Sequence, residues 1–413
     1  MSAAEVDRRA LMRTYADPPV TFVRGQGSVL WDTDGKQYLD FIGGLAVTSL
    51  GHAHPAVADA LAEQARTLLH VSNLFGNTVG PEVAATLDLL VGDGERAGGQ
   101  VFFGNSGAEA NECAVKLARR WAGSGRYVVV SADGSFHGRT LATLAATGQP
   151  GKHEPFAPLP EGFEHVAYDD IAALADACDP GKVAAVLLEP ILGEAGVFSP
   201  SPGYLGAVRQ LCDERGLLLM VDEIQTGLGR TGRWFAFQHA GVVPDVVTVA
   251  KALGNGVPIG ACWARAEVAA AFGPGDHGST FGGQPLAAAA ARATLRALQE
   301  ADAPARAARS GARLRAGLQA LAGVAGVRGA GLLLGAALEA PCAVRATAEC
   351  LAAGLVVNAP RPDTIRLAPS LLVSDEAIDQ AVGILGAVLA GIAAEAPSPT
   401  GAAEAPSPQQ VDG

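Results

Sequence analysis

Lysine is almost missing from this chain of 413 residues: of 30 basic residues only five are lysine, which leaves 25 arginines. Acidic residues number 42, for a net charge of −12 and an isoelectric point near 5.1. A surface of that sign excludes nucleic acid and anionic membrane as partners, since both attract a basic field. Cysteine is sparse and irregularly spaced (Cys113, Cys178, Cys212, Cys262, Cys342, Cys350), with no C-x-x-C. Reduced core thiols are therefore expected, rather than a disulfide framework. His52 and His54 form a single H-x-H without acidic ligands nearby in sequence, so a turn into a helix after Pro55 is expected there, and no metal. No 18-residue apolar run lacks breakers, and no charged-then-apolar leader opens the chain. A cytoplasmic protein without a membrane span is expected.

Scarcity makes each lysine legible. Lys36 sits in an Asp-Gly turn, Lys116 on a charged helix, and Lys152 and Lys182 each follow glycine in loop-like segments, so all four read as solvated. Lys251 is different, because it ends the apolar run from Asp245 to Ala250 and enters the glycine-rich stretch from Ala252 to Pro258. Either it marks where a strand leaves the core, or desolvation lowers its ammonium pKa and makes it a nucleophile toward an aldehyde, such as that of pyridoxal phosphate.

The surrounding sequence favours the second reading. Leu217 to Val221 is a buried parallel strand by its composition, with Asp222 at its carboxyl end, where α/β proteins place ligands. A carboxylate there can keep the cofactor's pyridine nitrogen protonated, so that the ring accepts electrons when a substrate Cα–H bond breaks. Gln100 to Phe103 followed by Gly104-Asn-Ser-Gly-Ala-Glu-Ala-Asn-Glu112 reads strand, turn, helix. Ser106, Gly107 and Ala108 then offer backbone N–H groups and a hydroxyl at a helix start, which is either an ordinary helix entry or a phosphate site. Gly227-Leu-Gly-Arg-Thr-Gly232 matches the dinucleotide pattern G-x-G-x-x-G, but no helical pattern begins inside it, so a nicotinamide dehydrogenase is the weaker alternative.

Two arginines are also conspicuous. Arg139 follows Phe136-His-Gly138 in a turn, as either a surface residue or a cleft residue. Arg366 lies between apolar residues in a β-like stretch, where a charge needs a partner or a ligand. A guanidinium grips a carboxylate bidentately, which lysine cannot do.

Along the chain, residues 1–45 start with a charged helical stretch (Ala4 to Tyr15) and continue into short strands around the hairpin signal Asp34-Gly35. Between 46 and 290, strand-like runs (Tyr127 to Val130, Ala184 to Glu189, Leu217 to Asp222, Val246 to Ala250) alternate with helical patterns. That alternation predicts an α/β fold, a large domain with a mostly parallel sheet flanked by helices. A helix from Pro285 to about Gln299 leads into a region spanning 291–394 with strands at Gly331 to Leu338, Leu355 to Val357 and Thr364 to Leu367, and a closing helix from Asp375 to Ala394. The repeated Glu-Ala-Pro-Ser-Pro of the tail 395–413 is expected to be disordered.

Eight motifs occur in one order: GHAHP (51 to 55), NSGAEANE (105 to 112), FHGRT (136 to 140), LLEPI (187 to 191), DEIQTGLGRTG (222 to 232), TVAKALGNGVPIGA (248 to 261), HGSTFGG (277 to 283) and IRLAPSL (365 to 371). Together they make the chain, over about 20 to 390, resemble the class III, fold-type I pyridoxal-phosphate aminotransferases, and among these the acetylornithine/ornithine group. The resemblance implies a large cofactor-binding domain and a smaller α+β domain built from the N- and C-terminal segments. It implies that Lys251 attaches the cofactor and shuttles the proton, and that Asp222 pairs with the pyridine nitrogen. Ser106, Gly107 and Ala108 would hold the phosphate, Phe136 would stack on the ring, Gln225 would bond the phenolic oxygen, and Glu223 would belong to the cofactor set. Thr280 would reach the phosphate of the partner subunit's cofactor, making a homodimer with shared active sites. Arg139 and Ser279 would contact substrate, and Arg366 would bind the α-carboxylate of 2-oxoglutarate, masked by Glu194 when the donor is present.

The expected reaction is transamination from N2-acetylornithine to 2-oxoglutarate in arginine biosynthesis. Free ornithine, succinylornithine and 4-aminobutyrate are the alternative donors, and a decarboxylase or aminomutase is the alternative class of reaction. Leu192, Ala195 and Gln284 depart from the family's usual residues, and the loss of an amide near the donor pocket is expected to shift donor choice.

Overall fold

Strand formation begins with short N-terminal segments: β1 (Phe22–Gln26), β2 (Val29–Asp32) and β3 (Gln37–Asp40) make an antiparallel meander. Asp34-Gly35 turns β2 into β3 as expected, and Asp32 fixes the turn by accepting from the N–H groups of Asp34 and Lys36, 2.9 Å each. The computed structural model describes residues 11–395. Residues 11 to 15 are not helical, and the rest of the stretch expected as a helix from Ala4, like the tail from 396, lies outside the described residues.

The large sheet contains β4 (Gly99–Gly104), β5 (Val128–Ala132), β6 (Phe163–Val166), β7 (Val183–Leu188), β8 (Leu218–Asp222), β9 (Val246–Val249) and β10 (Gly260–Arg265). Its order is β4-β10-β9-β8-β7-β5-β6, and β10 alone runs against its neighbours. Every residue of β7, β8 and β9 is buried, as near-continuous apolar strands covered on both faces require. Alternate side chains enter opposite layers: Leu219 and Val221 join one core cluster, Leu218 and Met220 the other. The cysteines take part in this packing, since all six are free and five are buried.

The C-terminal region adds β11 (Val324–Ala330), β12 (Leu333–Leu338), β13 (Leu355–Val356), β14 (Asn358–Arg361) and β15 (Thr364–Leu367). β11-β12-β15-β14 is an antiparallel sheet, whereas β13 pairs in parallel with β3 of the N-terminal meander. The sequence predicts no strand at β11, whose glycines and alanines carry little strand signal. The closing helix Asp375–Glu395 takes in Glu395 and is, among the described residues, the helix long and apolar enough to cross a membrane by length and composition. Its Ile378, Ala381, Leu385, Val388 and Leu389 instead join the main core, as in an ordinary packed helix.

The Gly227–Gly232 stretch opens no helix and is a run of turns. It drives Arg230 into the interior, where the guanidinium donates to the Leu332 and Pro369 carbonyls and to Ser49 Oγ. Burial pushes the Arg230 pKa down to about 9. One side chain thus ties the large sheet's loop to both the N- and C-terminal segments.

Candidate active site

Parallel strands end together, and a cavity of about 420 Å³ opens beyond the carboxyl ends of β4, β5, β7, β8 and β9. Nine of the thirteen residues expected in the site line it: Ser106, Gly107, Ala108, Phe136, Arg139, Glu194, Asp222, Gln225 and Lys251.

Lys251 follows β9 by two residues and has a left-handed backbone, φ +43°, in a short 3-10 turn, Lys251–Leu253. A non-glycine residue in that region costs about 1–3 kcal/mol and persists only where surrounding structure imposes it. Burial lowers its ammonium pKa, and Arg366 adds to that, while Glu194, Asp222 and Glu189 oppose. Asp222, at the end of β8, is 3 % exposed and triply held. Its Oδ2 accepts from Asn111 Nδ2 and bonds His137 Nδ1, 2.8 Å each, and its Oδ1 accepts from the Ile224 N–H at 3.0 Å. Asn111 is itself fixed, donating to the His137 carbonyl and accepting from Thr248 Oγ1, both at 2.8 Å.

Ser106 caps the helix Gly107–Ala122, its Oγ accepting from the Glu109 N–H at 3.2 Å. The hydroxyl proton stays available, alongside the first backbone N–H groups of the helix. A Cβ at Gly107 would meet Ile224 Cδ1 at 2.7 Å, so any larger residue would make Ile224, another residue of the cavity lining, shift. Buried amine, anchored carboxylate and helix start thus surround one cavity, and this donor set fits pyridoxal phosphate.

Arg366 on β15 is 1 % exposed. Its Nη1 donates to Glu194 Oε1 at 2.6 Å and to the Gly193 carbonyl and Gln225 Oε1 at 3.2 Å, and its Nε donates to Asn358 Oδ1 at 3.1 Å. Nη2 is buried with no partner among the described residues, leaving both of its N–H groups for a ligand. Burial raises the Glu194 pKa, but Arg366, Lys251 and Gln225 together more than reverse this, and the carboxyl lies below its ordinary value. Arg139 stands at the exposed rim, its Cζ 5.6 Å from the Phe136 ring centroid. Lys152 corrects its expected solvation: it is half-buried, with Nζ 5.5 Å from the same centroid.

Four expected residues do not line the cavity. Glu223 is buried, its carboxylate accepting from Thr226 Oγ1 at 2.5 Å and the Phe237 N–H at 2.9 Å. Arg366 is reached through Glu194 and Gln225. Ser279 Oγ is 3.2 Å from Nδ2 of the cavity residue Asn105, and Thr280 is exposed on the next residue of that loop. The departures also lie outside the lining. Leu192 and Gln284 are buried, and the Gln284 amide holds the Val71 N–H and Asn73 Oδ1 at 3.0 Å each.

Other residues gain importance only through the fold. Glu189 lines the cavity and accepts from the N–H groups of Phe136 (2.8 Å) and Gly193 (3.2 Å), joining two loops of the site. Burial pushes its pKa up to about 7, with His137 opposing. Asn111, His137, Glu189 and Asn358 support the expected residues, and the first three sit within the motifs already noted. His52 meets Asp40 at 2.7 Å, and no group of three metal ligands forms among the described residues.

Comparison with known proteins agrees with this geometry. The pattern of the family described as aminotransferase class-III matches residues 11–389. The chain is 51% identical over 387 residues to the acetylornithine aminotransferase of Corynebacterium efficiens, covering 92% of this chain and 95% of the relative. It is also 51% identical over 381 residues to that of Mycobacterium tuberculosis, covering 92% and 94%. Among solved structures, the ornithine aminotransferase of Toxoplasma gondii superposes with a TM-score of 0.88 at 36% identity, covering 94% of each chain. The N-acetylornithine aminotransferase of Stenotrophomonas maltophilia does so with a TM-score of 0.79 at 38% identity, covering 92% of this chain and 98% of that one. The chain belongs to the class III aminotransferases, which use pyridoxal phosphate.

Proposed function

We propose that this enzyme transfers the terminal amino group of N2-acetylornithine to 2-oxoglutarate, giving N-acetylglutamate 5-semialdehyde and glutamate, as a step of arginine biosynthesis. The observation that carries the proposal is the buried Arg366–Glu194 pair with its spare Nη2, opposite a rim arginine, inside a lysine–aspartate site. The names of the relatives at 51% identity favour the acetylated donor.

When bound, pyridoxal phosphate supplies the aldehyde and the electron-withdrawing ring on which amino groups exchange. Asp222, held by Asn111, His137 and the Ile224 N–H, presents a fixed carboxylate to the pyridine nitrogen. Ser106, Gly107 and Ala108 would bind the phosphate, Phe136 would cover the ring, and Gln225 would bond the phenolic oxygen. Lys251 would hold the aldehyde at rest; once the incoming amine frees it, its amine, kept neutral by burial, can take a proton from the substrate carbon and return it. Arg139 and Ser279 hold substrate. Arg366 grips the α-carboxylate of 2-oxoglutarate once Glu194 swings away, and Glu194 masks it while the donor occupies the site.

The proposal includes a cytoplasmic homodimer in which Thr280 reaches the phosphate in the partner's site. Supporting this, Thr280 is exposed beside Leu69, Leu74, Phe75 and Phe281, which are 53 %, 86 %, 70 % and 64 % exposed, an apolar group that water disfavours. The division into a large unit (46–290) and a smaller one (1–45 with 291–394) is supported by the pairing of β3 with β13. Single-turnover spectroscopy tests the function: the bound-cofactor absorption should convert faster with N2-acetylornithine than with ornithine. Faster conversion with ornithine would overturn the donor assignment in favour of ornithine δ-transamination.

A further inference from the structure

Lys152 stands on the short helix Pro150–His153, half-buried and just outside the cavity lining. Its ammonium donates to the Gln149 side-chain carbonyl, and Gln149 is anchored in turn by donating from Nε2 to the Ser135 carbonyl at 3.0 Å. This places Nζ 5.5 Å from the centroid of the ring that Arg139 Cζ approaches at 5.6 Å. Phe136 and Arg139 both line the cavity. None of the ion pairs among the described residues includes Lys152 or Arg139. Burial lowers the Lys152 pKa, Arg139 lowers it further, and Glu194 opposes. Two cations gathered on one aromatic ring without a carboxylate partner repel each other, and an anion entering the cavity would relieve that repulsion.

We propose that Lys152 joins Arg139 in gripping the substrate carboxylate remote from the reacting carbon, in donor and acceptor alike, and so sets the preference for carboxylate-bearing substrates. This inference rests on the transamination reading. In the acetylated donor, that carboxylate stands one carbon–carbon bond farther from the reacting carbon than in 2-oxoglutarate. A guanidinium is a rigid fork, whereas an ammonium on a flexible stem can follow the anion between the two depths. Arg139 supplies bidentate geometry and Lys152 supplies reach.

The test is steady-state kinetics of the holoenzyme carrying Lys152→Met, Lys152→Arg or Arg139→Ala. Loss of one charge-assisted contact should raise KM for both substrates roughly tenfold in Lys152→Met. There kcat should stay within about twofold and the bound-cofactor absorption should be unchanged, and Lys152→Arg should recover most of the affinity. A KM unchanged for either substrate overturns the proposal, as does a loss of kcat or of the cofactor band without a change in KM. If Arg139→Ala weakens both substrates and Lys152→Met neither, the proposal fails and the transamination reading stands. If neither variant changes KM, the assignment of this face to substrate fails as well.

Discussion

Removing the Glu194 carboxylate tests the two-substrate logic of the site. Arg366 Nη1 donates to Glu194 Oε1 across 2.6 Å, and the two partners differ sharply in burial, 1 % exposed for Arg366 and 29 % for the Glu194 side chain. The glutamate is therefore the partner free to move, while the arginine stays on β15. A charge-assisted hydrogen bond of this kind is worth about 1.5–3 kcal/mol, and partial exposure of the glutamate argues for the low end. An acceptor carboxylate must displace Glu194 before it binds, so its apparent affinity includes that cost. In Glu194→Ala the cost vanishes, and kcat/KM for 2-oxoglutarate should rise about tenfold, since about 1.4 kcal/mol is a factor of ten. Arg366 would still be held by the Gly193 carbonyl, Gln225 and Asn358, so the fold should survive. The donor, whose reacting carbon carries only hydrogen at this end, would leave a bare buried guanidinium, and its kcat/KM should fall by about the same factor. Two-substrate steady-state kinetics measures both. An unchanged or lower kcat/KM for 2-oxoglutarate, with donor kinetics intact, would refute the masking role.

Lys251→Ala should abolish turnover while leaving the thermal unfolding profile close to wild type, and ordinary turnover in that variant would sink the mechanism. Asn111→Ala leaves Thr248 Oγ1 and the His137 carbonyl without their partner and Asp222 Oδ2 with His137 alone, so a loss of about 2–3 kcal/mol in denaturant unfolding is expected, with weaker cofactor retention on dialysis; wild-type stability would show that water replaces the amide. Burial raises the Glu223 pKa from 4.5 to about 7, so the folded state holds the proton more tightly than the unfolded one. Its contribution is complete below about pH 4.5 and is lost as pH rises through about 7, by up to roughly 3 kcal/mol. Tm should therefore fall from pH 5 to 8 in wild type and fall less in Glu223→Gln, with Glu189 keeping part of the slope; identical slopes would place the titration elsewhere.

The strands of the large sheet were legible because burial on both faces demands long apolar runs, and β7, β8 and β9 carry them. Lys251 and Asp222 stood out for the complementary reason, as charges where such runs end. What stayed hidden depends on direction rather than on residue type. Glu223 and Glu189 are both acidic residues following buried strands, yet Glu189 faces the cavity and Glu223 faces the Phe237 backbone. Lys152 looked solvated beside Gly151 because the ring that shelters it, Phe136, belongs to another loop. Asn111 lay inside a recognised motif, but its bond to Asp222 spans 111 positions of sequence, which local pattern does not encode.

The parallel pairing of β3 with β13 bears on how the chain is made. Leu39 donates its N–H to the Gly354 carbonyl at 2.8 Å, and Phe41 donates to Val356 at 2.9 Å, so this edge of the first meander is completed by residues near the far end. Roughly 300 residues must leave the ribosome in between, which takes about 15–60 s at ordinary translation rates. Throughout that interval the nascent β3 offers an open edge to neighbouring chains. Ribosomal stalling after the large sheet has emerged, or a stop codon placed before Leu355, would therefore leave a chain with an unpaired, aggregation-prone strand at one end and a buried Arg230 without its Pro369 acceptor.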